Sequence, residues 1–165
     1  MIYIDCGYYV GAAKELNCVQ NDWTLYGFEA HPGLEVPKWV KRKAVWINDD
    51  KVKFNIGGRD DAASIDGTSG HTEGTPQIEV QAFDFSKFVG DLPNDMIICS
   101  MDIEGAEFPV LEKMLDDGTM DKITFLDVEF HHRIMGEAKG PEDAKYLIKR
   151  IQDLGVIIHL KVPVE

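Results

Sequence analysis

The chain has 165 residues, with 17 Lys and Arg against 29 Asp and Glu, a net charge of −12 at neutral pH. Its 44% apolar and 28% charged residues form a globular mix, and the length suits one domain with a real core but not two. Nucleic-acid and anionic-membrane partners are disfavoured, because both need a basic footprint.

Ile2-Tyr3-Ile4 reads as a buried strand running into Asp5-Cys6-Gly7. Residues 10–19 follow as a helix, with Ala13 and Leu16 on one face. Residues 24–28 form a second strand, closed by Glu29-Ala30-His31-Pro32. Residues 34–40 are a weak helix at best, because Pro37 interrupts them. Residues 43–47 read as the third strand. Asn48-Asp49-Asp50 then link it as a hairpin to a strand over residues 51–56, where Val52, Phe54 and Ile56 alternate. A Gly-, Asp-, Ser- and Thr-rich loop of about twenty residues, 57–77, has the length of a lid or binding loop, or of a disordered segment.

Alternation resumes at Ile78, Val80 and Ala82, and residues 78–85 read as a strand. Residues 96–103 are nearly all apolar, as expected for a central strand covered on both faces, and run into Asp102-Ile103-Glu104-Gly105. Phe108, Leu111 and Leu115 then fall at helical spacing, with Pro109 tolerable in the first turn. Residues 123–130 are a strand ending in Glu129-Phe130-His131-His132. The clearest helix starts at Gly140-Pro141, has Glu142 and Asp143 in its first turn, and stops at Gly155. Residues 156–160 close the series. This alternation predicts an α/β, doubly wound, mostly parallel Rossmann-like sheet.

No basic region precedes an apolar run at the start, and no stretch reaches the ~18 apolar residues of a membrane span. Cys6, Cys18 and Cys99 form no C-x-x-C pair. Free thiols in a reducing, cytoplasmic compartment fit that usage, and a thiolate zinc site does not.

Ligands of doubly wound sheets bind beyond the carboxyl ends of the strands. That rule selects residues 5–11, Glu29, residues 102–107 and residues 129–132. Gly7 and Gly11 alone describe an ordinary strand-to-helix turn. Glu29, 18 residues past Gly11, adds an acid able to accept both hydroxyl protons of a ribose. Asp102, Glu104 and Glu107 place three acids within six residues, which needs solvent, a cation or a metal to offset their repulsion. Glu107 is accounted for by the helix N-terminus, whereas Asp102 follows a buried run. Glu129 and His131 share one face by alternation, and can be an acid/base pair, two metal ligands, or a hydrogen-bonded pair shaping the cleft. His71, in the long loop, reaches a substrate only if that loop closes.

These residues resemble the FkbM-type methyltransferases, a branch of the class I S-adenosylmethionine-dependent enzymes. Met101-Asp102-Ile103-Glu104-Gly105-Ala106-Glu107-Phe108-Pro109-Val110-Leu111 is similar to the family signature (I/K)-D-(V/I)-E-G-A-E-x-x-V-L. Ile4-Asp5-Cys6-Gly7 through Gly11 resembles the first cofactor motif, D-x-G-A-N-x-G. Residues 26–32 resemble the strand end that carries the ribose-binding acid, and residues 126–131 the E-x-H strand end. The likeness spans residues 2–132. Tyr8 and Tyr9 depart from it where Ala-Asn is usual, Ala30 stands where proline is usual, and no seventh strand can be placed.

The resemblance implies S-adenosylmethionine as cofactor and O-methylation of a small-molecule or glycan hydroxyl. Asp5, Gly7, Gly11, Glu29, Asp49 and Asp102 are the expected cofactor residues, Asp49 (or Asn48) facing the adenine after the third strand. Asp102 and His131 are the candidate bases. Glu104, with Glu129, orients them or holds a divalent ion, which the residues allow but do not require. The acidic strand ends suit a cationic sulfonium. A second copy of the chain is an expected partner that would complete the site. Three other readings stand beside this one. They are a non-catalytic member whose Tyr8-Tyr9 pair blocks the cofactor, a dinucleotide-dependent oxidoreductase or epimerase, and a metal-dependent hydrolase using Asp102, Glu129 and His131. The second lacks Gly-x-Gly-x-x-Gly.

Overall fold

A computed structural model describes residues 1–8, 22–56, 63–65, 76–131 and 139–164. Its centre is a sheet of six parallel strands: β1 (Ile2–Cys6), β2 (Thr24–Phe28), β3 (Val40–Lys41), β8 (Ile97–Met101), β9 (Phe125–Val128) and β10 (Ile157–Leu160). Their spatial order is β10-β9-β8-β1-β2-β3. Numbered by appearance within this sheet, that is 6-5-4-1-2-3, the doubly wound order. The chain reverses direction across the sheet at β1, so a crevice opens between the ends of β1 and β8.

Residue type explains the centre. All five residues of β1 are buried, as are four of the five in β8, so both strands lack alternation and are apolar apart from Asp5 and Ser100. The helix α2 (Glu107–Asp116) covers this region with Phe108, Val110, Leu111 and Met114. In α3 (Pro141–Asp153), Ala144, Leu147 and Ile151 form the buried stripe. The Asp143 carboxylate accepts a hydrogen bond from the Gly140 N–H at 2.8 Å and so closes the start of α3.

A second sheet has the order β4-β7-β5-β6, from β4 (Ala44–Trp46), β5 (Lys51–Asn55), β6 (Ser64–Ile65) and β7 (Gln77–Asp84). This corrects three expectations. Residues 34–40 form no helix, and the third strand of the main sheet is β3, where Gly27 pairs with Val40. The run at 44–46 leaves that sheet and pairs with β7 instead. Finally, β4 and β5 are not a hairpin, because β7 lies between them. The turn is tied onto β7: Asp49 Oδ1 accepts from the Asp84 N–H at 3.3 Å, and Gln81 Nε2 donates to the Asp49 carbonyl at 2.8 Å.

One helix was not expected. α1 (Phe85–Asp91) starts at Asp84, whose carboxylate accepts from the Lys87 N–H at 3.1 Å. The expected helix at 10–19 and most of the loop at 57–77 lie outside the described residues. No helix among the described residues is long and apolar enough to cross a membrane.

Candidate active site

The crevice at the strand ends holds a cavity of about 320 Å³. Its polar lining is Gly7, Glu29, Lys43, Asp102, Glu104, Glu129 and His131; apolar side chains of the second sheet, Phe54 and Ile65 among them, also line it. Gly7, Glu29, Asp102 and Glu129 each directly follow a main-sheet strand, so strand register fixes their positions, while Glu104 and His131 lie two residues further on. The Asp102 N–H donates to the Cys6 carbonyl at 3.0 Å, the Glu129 N–H to the Met101 carbonyl at 3.0 Å, and the Gly7 N–H to the Phe28 carbonyl at 3.0 Å.

Glu29 is only 8% exposed, and its Oε1 accepts from the His31 N–H at 2.6 Å. Burial raises its pKa from 4.5 to about 7, against the backbone donors of His31 and Ala30 and the charge of Arg42. Arg42 in turn donates to the carbonyls of His31, at 2.7 Å, and Leu34, bracing this corner. A raised carboxyl pKa favours the folded state while the group is protonated, so that stability is present below about pH 4.5 and lost as pH rises through about 7. Glu29→Gln keeps an acceptor for the His31 N–H but cannot ionise. It is expected to match the parent near pH 4 and to exceed it by up to about 3 kcal/mol near pH 8. Urea midpoints at the two pH values check this; an equal gain at both would remove ionisation as the cause.

Glu107 organises the other half of the site. Its side chain is wholly buried, yet its carboxylate accepts three hydrogen bonds. Oε1 takes the Ile103 N–H at 2.8 Å and His131 Nδ1 at 2.9 Å, and Oε2 takes the Gly105 N–H at 2.9 Å. Three donors offset the cost of burying the charge. They also hold the Asp102–Glu107 turn in shape, with Glu104 in the left-handed region at φ +54°. The helix N-terminus alone, the sequence account of Glu107, is therefore too small a role.

Fixed at Nδ1, the imidazole turns Nε2 toward three carboxylates. Asp102 Oδ1 and Glu104 Oε1 lie at 3.6 Å and Glu129 Oε1 at 3.8 Å. Lys161 Nζ stands 3.8 Å from Asp102 Oδ2. Burial pulls the His131 pKa down, but the Glu107 hydrogen bond and the charges of Glu107, Glu104 and Asp102 outweigh it and raise it to about 9. Burial raises Asp102, against Lys161 and His131, and raises Glu104 to about 7, against His131. The net result is an imidazole that holds a proton among carboxyls that give up theirs reluctantly.

The structure thus brings together Gly7, Glu29, Asp102, Glu104, Glu129 and His131. Asp5 is buried in β1, between Gly27 and Ser100, and does not line the cavity. Asp49 is a correction: it lies in the β4–β5 turn, bonded to Asp84 and 3.8 Å from Lys87 Nζ, away from the cavity. Its assignment depended on residues 43–47 being the third main-sheet strand. Tyr8 is buried with its ring edge-on to Trp39, centroids 5.5 Å apart, and does not line the cavity either. Gly11, Tyr9, His71 and His132 lie outside the described residues.

Sequence reasoning missed Lys161, although the strand-end rule reaches it just past β10. It missed the second-sheet wall because Ile65 sits within a segment that reads as loop.

The sequence profile described as Methyltransferase FkbM domain matches residues 5–158. No curated protein and no solved structure matches the chain. The match runs from the end of β1 into β10 and takes in every residue of the cavity, so the chain belongs to the FkbM methyltransferase domain family.

Proposed function

We propose that this domain is an S-adenosylmethionine-dependent O-methyltransferase acting on a hydroxyl of a small molecule or glycan. The observation that carries the reading is one cavity, at the crossover of the doubly wound sheet, that joins a buried ribose-type acid to an acid–imidazole cluster. The residues fit the cofactor. Gly7 leaves the first turn bare of side chain, Glu29 presents a buried carboxyl to paired hydroxyls, and the acidic wall suits a sulfonium. When bound, the cofactor supplies an electrophilic methyl group.

The protein's part is to align the acceptor oxygen and take its proton. Asp102 is the proton acceptor in this reading. His131 already holds a proton at neutral pH and serves as its positive neighbour, with Glu104 beside both. The carboxylates disfavour a phosphorylated or nucleic-acid acceptor. A blocked cofactor site has lost one of its two supports, since the Tyr8 ring packs on Trp39.

Titration calorimetry with S-adenosylmethionine tests the reading. One equivalent should bind per chain, raise the melting temperature by linkage, and bind at least tenfold more weakly to Glu29→Gln. Absence of binding would end the methyltransferase reading.

A further inference from the structure

We infer that Asp102, Glu104 and the Nε2 of His131 form a site for a six-coordinate divalent cation of the Mn²⁺ and Mg²⁺ class, the cation taking the place of the Nε2 proton. One ligand atom each from Asp102, Glu104 and His131 falls within 4.8 Å of the other two. Glu129 adjoins them, 3.8 Å from the same nitrogen. A cation ~2.2 Å from each donor sets neighbouring donors ~3.1 Å apart and opposite donors ~4.4 Å apart. The observed spacings of 3.6 Å from Nε2 to Asp102 Oδ1 and Glu104 Oε1 fall within that span and just outside hydrogen-bond distance.

The imidazole distinguishes this cluster from a patch of solvated acids. Its Nδ1 is bonded to Glu107, which is wholly buried and stands outside the donor set. Metal-binding histidines are commonly held in this way, with a carboxylate on the far nitrogen fixing the ring. The side chains of His131, Glu104 and Asp102 are 13%, 20% and 35% exposed, so solvent screens the acids from one another only in part, and Lys161 offsets Asp102 from the other side. Two carboxylate oxygens with one imidazole nitrogen, and no thiolate, select Mn²⁺ or Mg²⁺ over a structural zinc. Cys6 and Cys99 are buried in the core.

The use of the cation rests on the methyl-transfer reading: the acceptor hydroxyl would take an open coordination position and give up its proton more readily. Cation binding itself does not depend on that reading.

The test uses the chelator-stripped full chain titrated with Mn²⁺, free ion being followed by electron paramagnetic resonance. One saturable Mn²⁺ per chain is expected, displaced by Mg²⁺. Both His131→Ala and Glu104→Gln should weaken it at least roughly tenfold, and the exposed control Asp116→Asn should not. Asp102→Ala replaces either variant that fails to fold, as judged by circular dichroism. Absence of a saturable site, or equal affinity across the variants, overturns the inference. Calorimetry with S-adenosylmethionine on the same preparation separates the two claims. Mn²⁺ without cofactor leaves the cation site standing and removes methyl transfer; cofactor without Mn²⁺ does the reverse.

Discussion

Asp102→Asn is expected to lower turnover by about 10²–10⁴-fold, the usual worth of a positioned proton acceptor, while cofactor affinity stays within roughly threefold. The substitution is nearly isosteric. It leaves the two backbone features that define the turn, the Asp102 N–H bond to Cys6 and the Asp102 carbonyl packed against Gly7. An amide oxygen can still face His131 Nε2, or stay on a cation, but it cannot take a proton from the acceptor. The measurement pairs kcat, for any hydroxyl acceptor that the parent chain methylates, with the calorimetric affinity for S-adenosylmethionine. Equal losses in both would move Asp102 out of the proton step and into cofactor binding or folding.

How legible this site was in the sequence depended on how local each cause is. The end of β8 could be read because an apolar run buried on both faces stops where the first charge appears, at Asp102; β1 ends at Cys6, just ahead of Gly7, with Asp5 buried inside the strand. Glu129 and His131 could be placed on one face by alternation, and they do share the cavity. Glu107 was readable only as a helix-start acid. Its real work depends on His131, 24 residues away and past the end of β9, and no local pattern encodes that pairing. Asp49 failed for a related reason. Alternation shows that residues 44–46 are a strand but not which sheet receives them, and the cofactor assignment inherited the wrong sheet. α1 was missed because seven residues give too little periodicity, although Asp84 three residues ahead of Lys87 was a usable capping signal.

Gly7→Ala is expected to destabilise the fold by at least about 4 kcal/mol and to abolish cofactor binding at temperatures where the variant is still folded. Two costs combine. Gly7 has φ +86°, and an alanine there costs about 1–2 kcal/mol from backbone sterics alone. In addition, a Cβ at this position would fall 1.8 Å from the Asp102 carbonyl oxygen and 2.9 Å from its carbon. The clash is with backbone, so no side-chain rotamer relieves it; β1 and the turn after β8 must move apart. Those two strands are paired along their whole length, from Ile2 with Ile97 to Cys6 with Met101, so separation at one end strains a continuous ladder in the core. Gly118→Ala supplies the control. That residue has φ +72°, and a Cβ there meets nothing within 4 Å, so only the backbone cost applies. Urea denaturation of the two variants reads the difference directly. Equal losses would mean that the β1–β8 crevice yields without strain. Gly7 would then matter only for its φ, and the close approach of the two turns would not be what shapes the site.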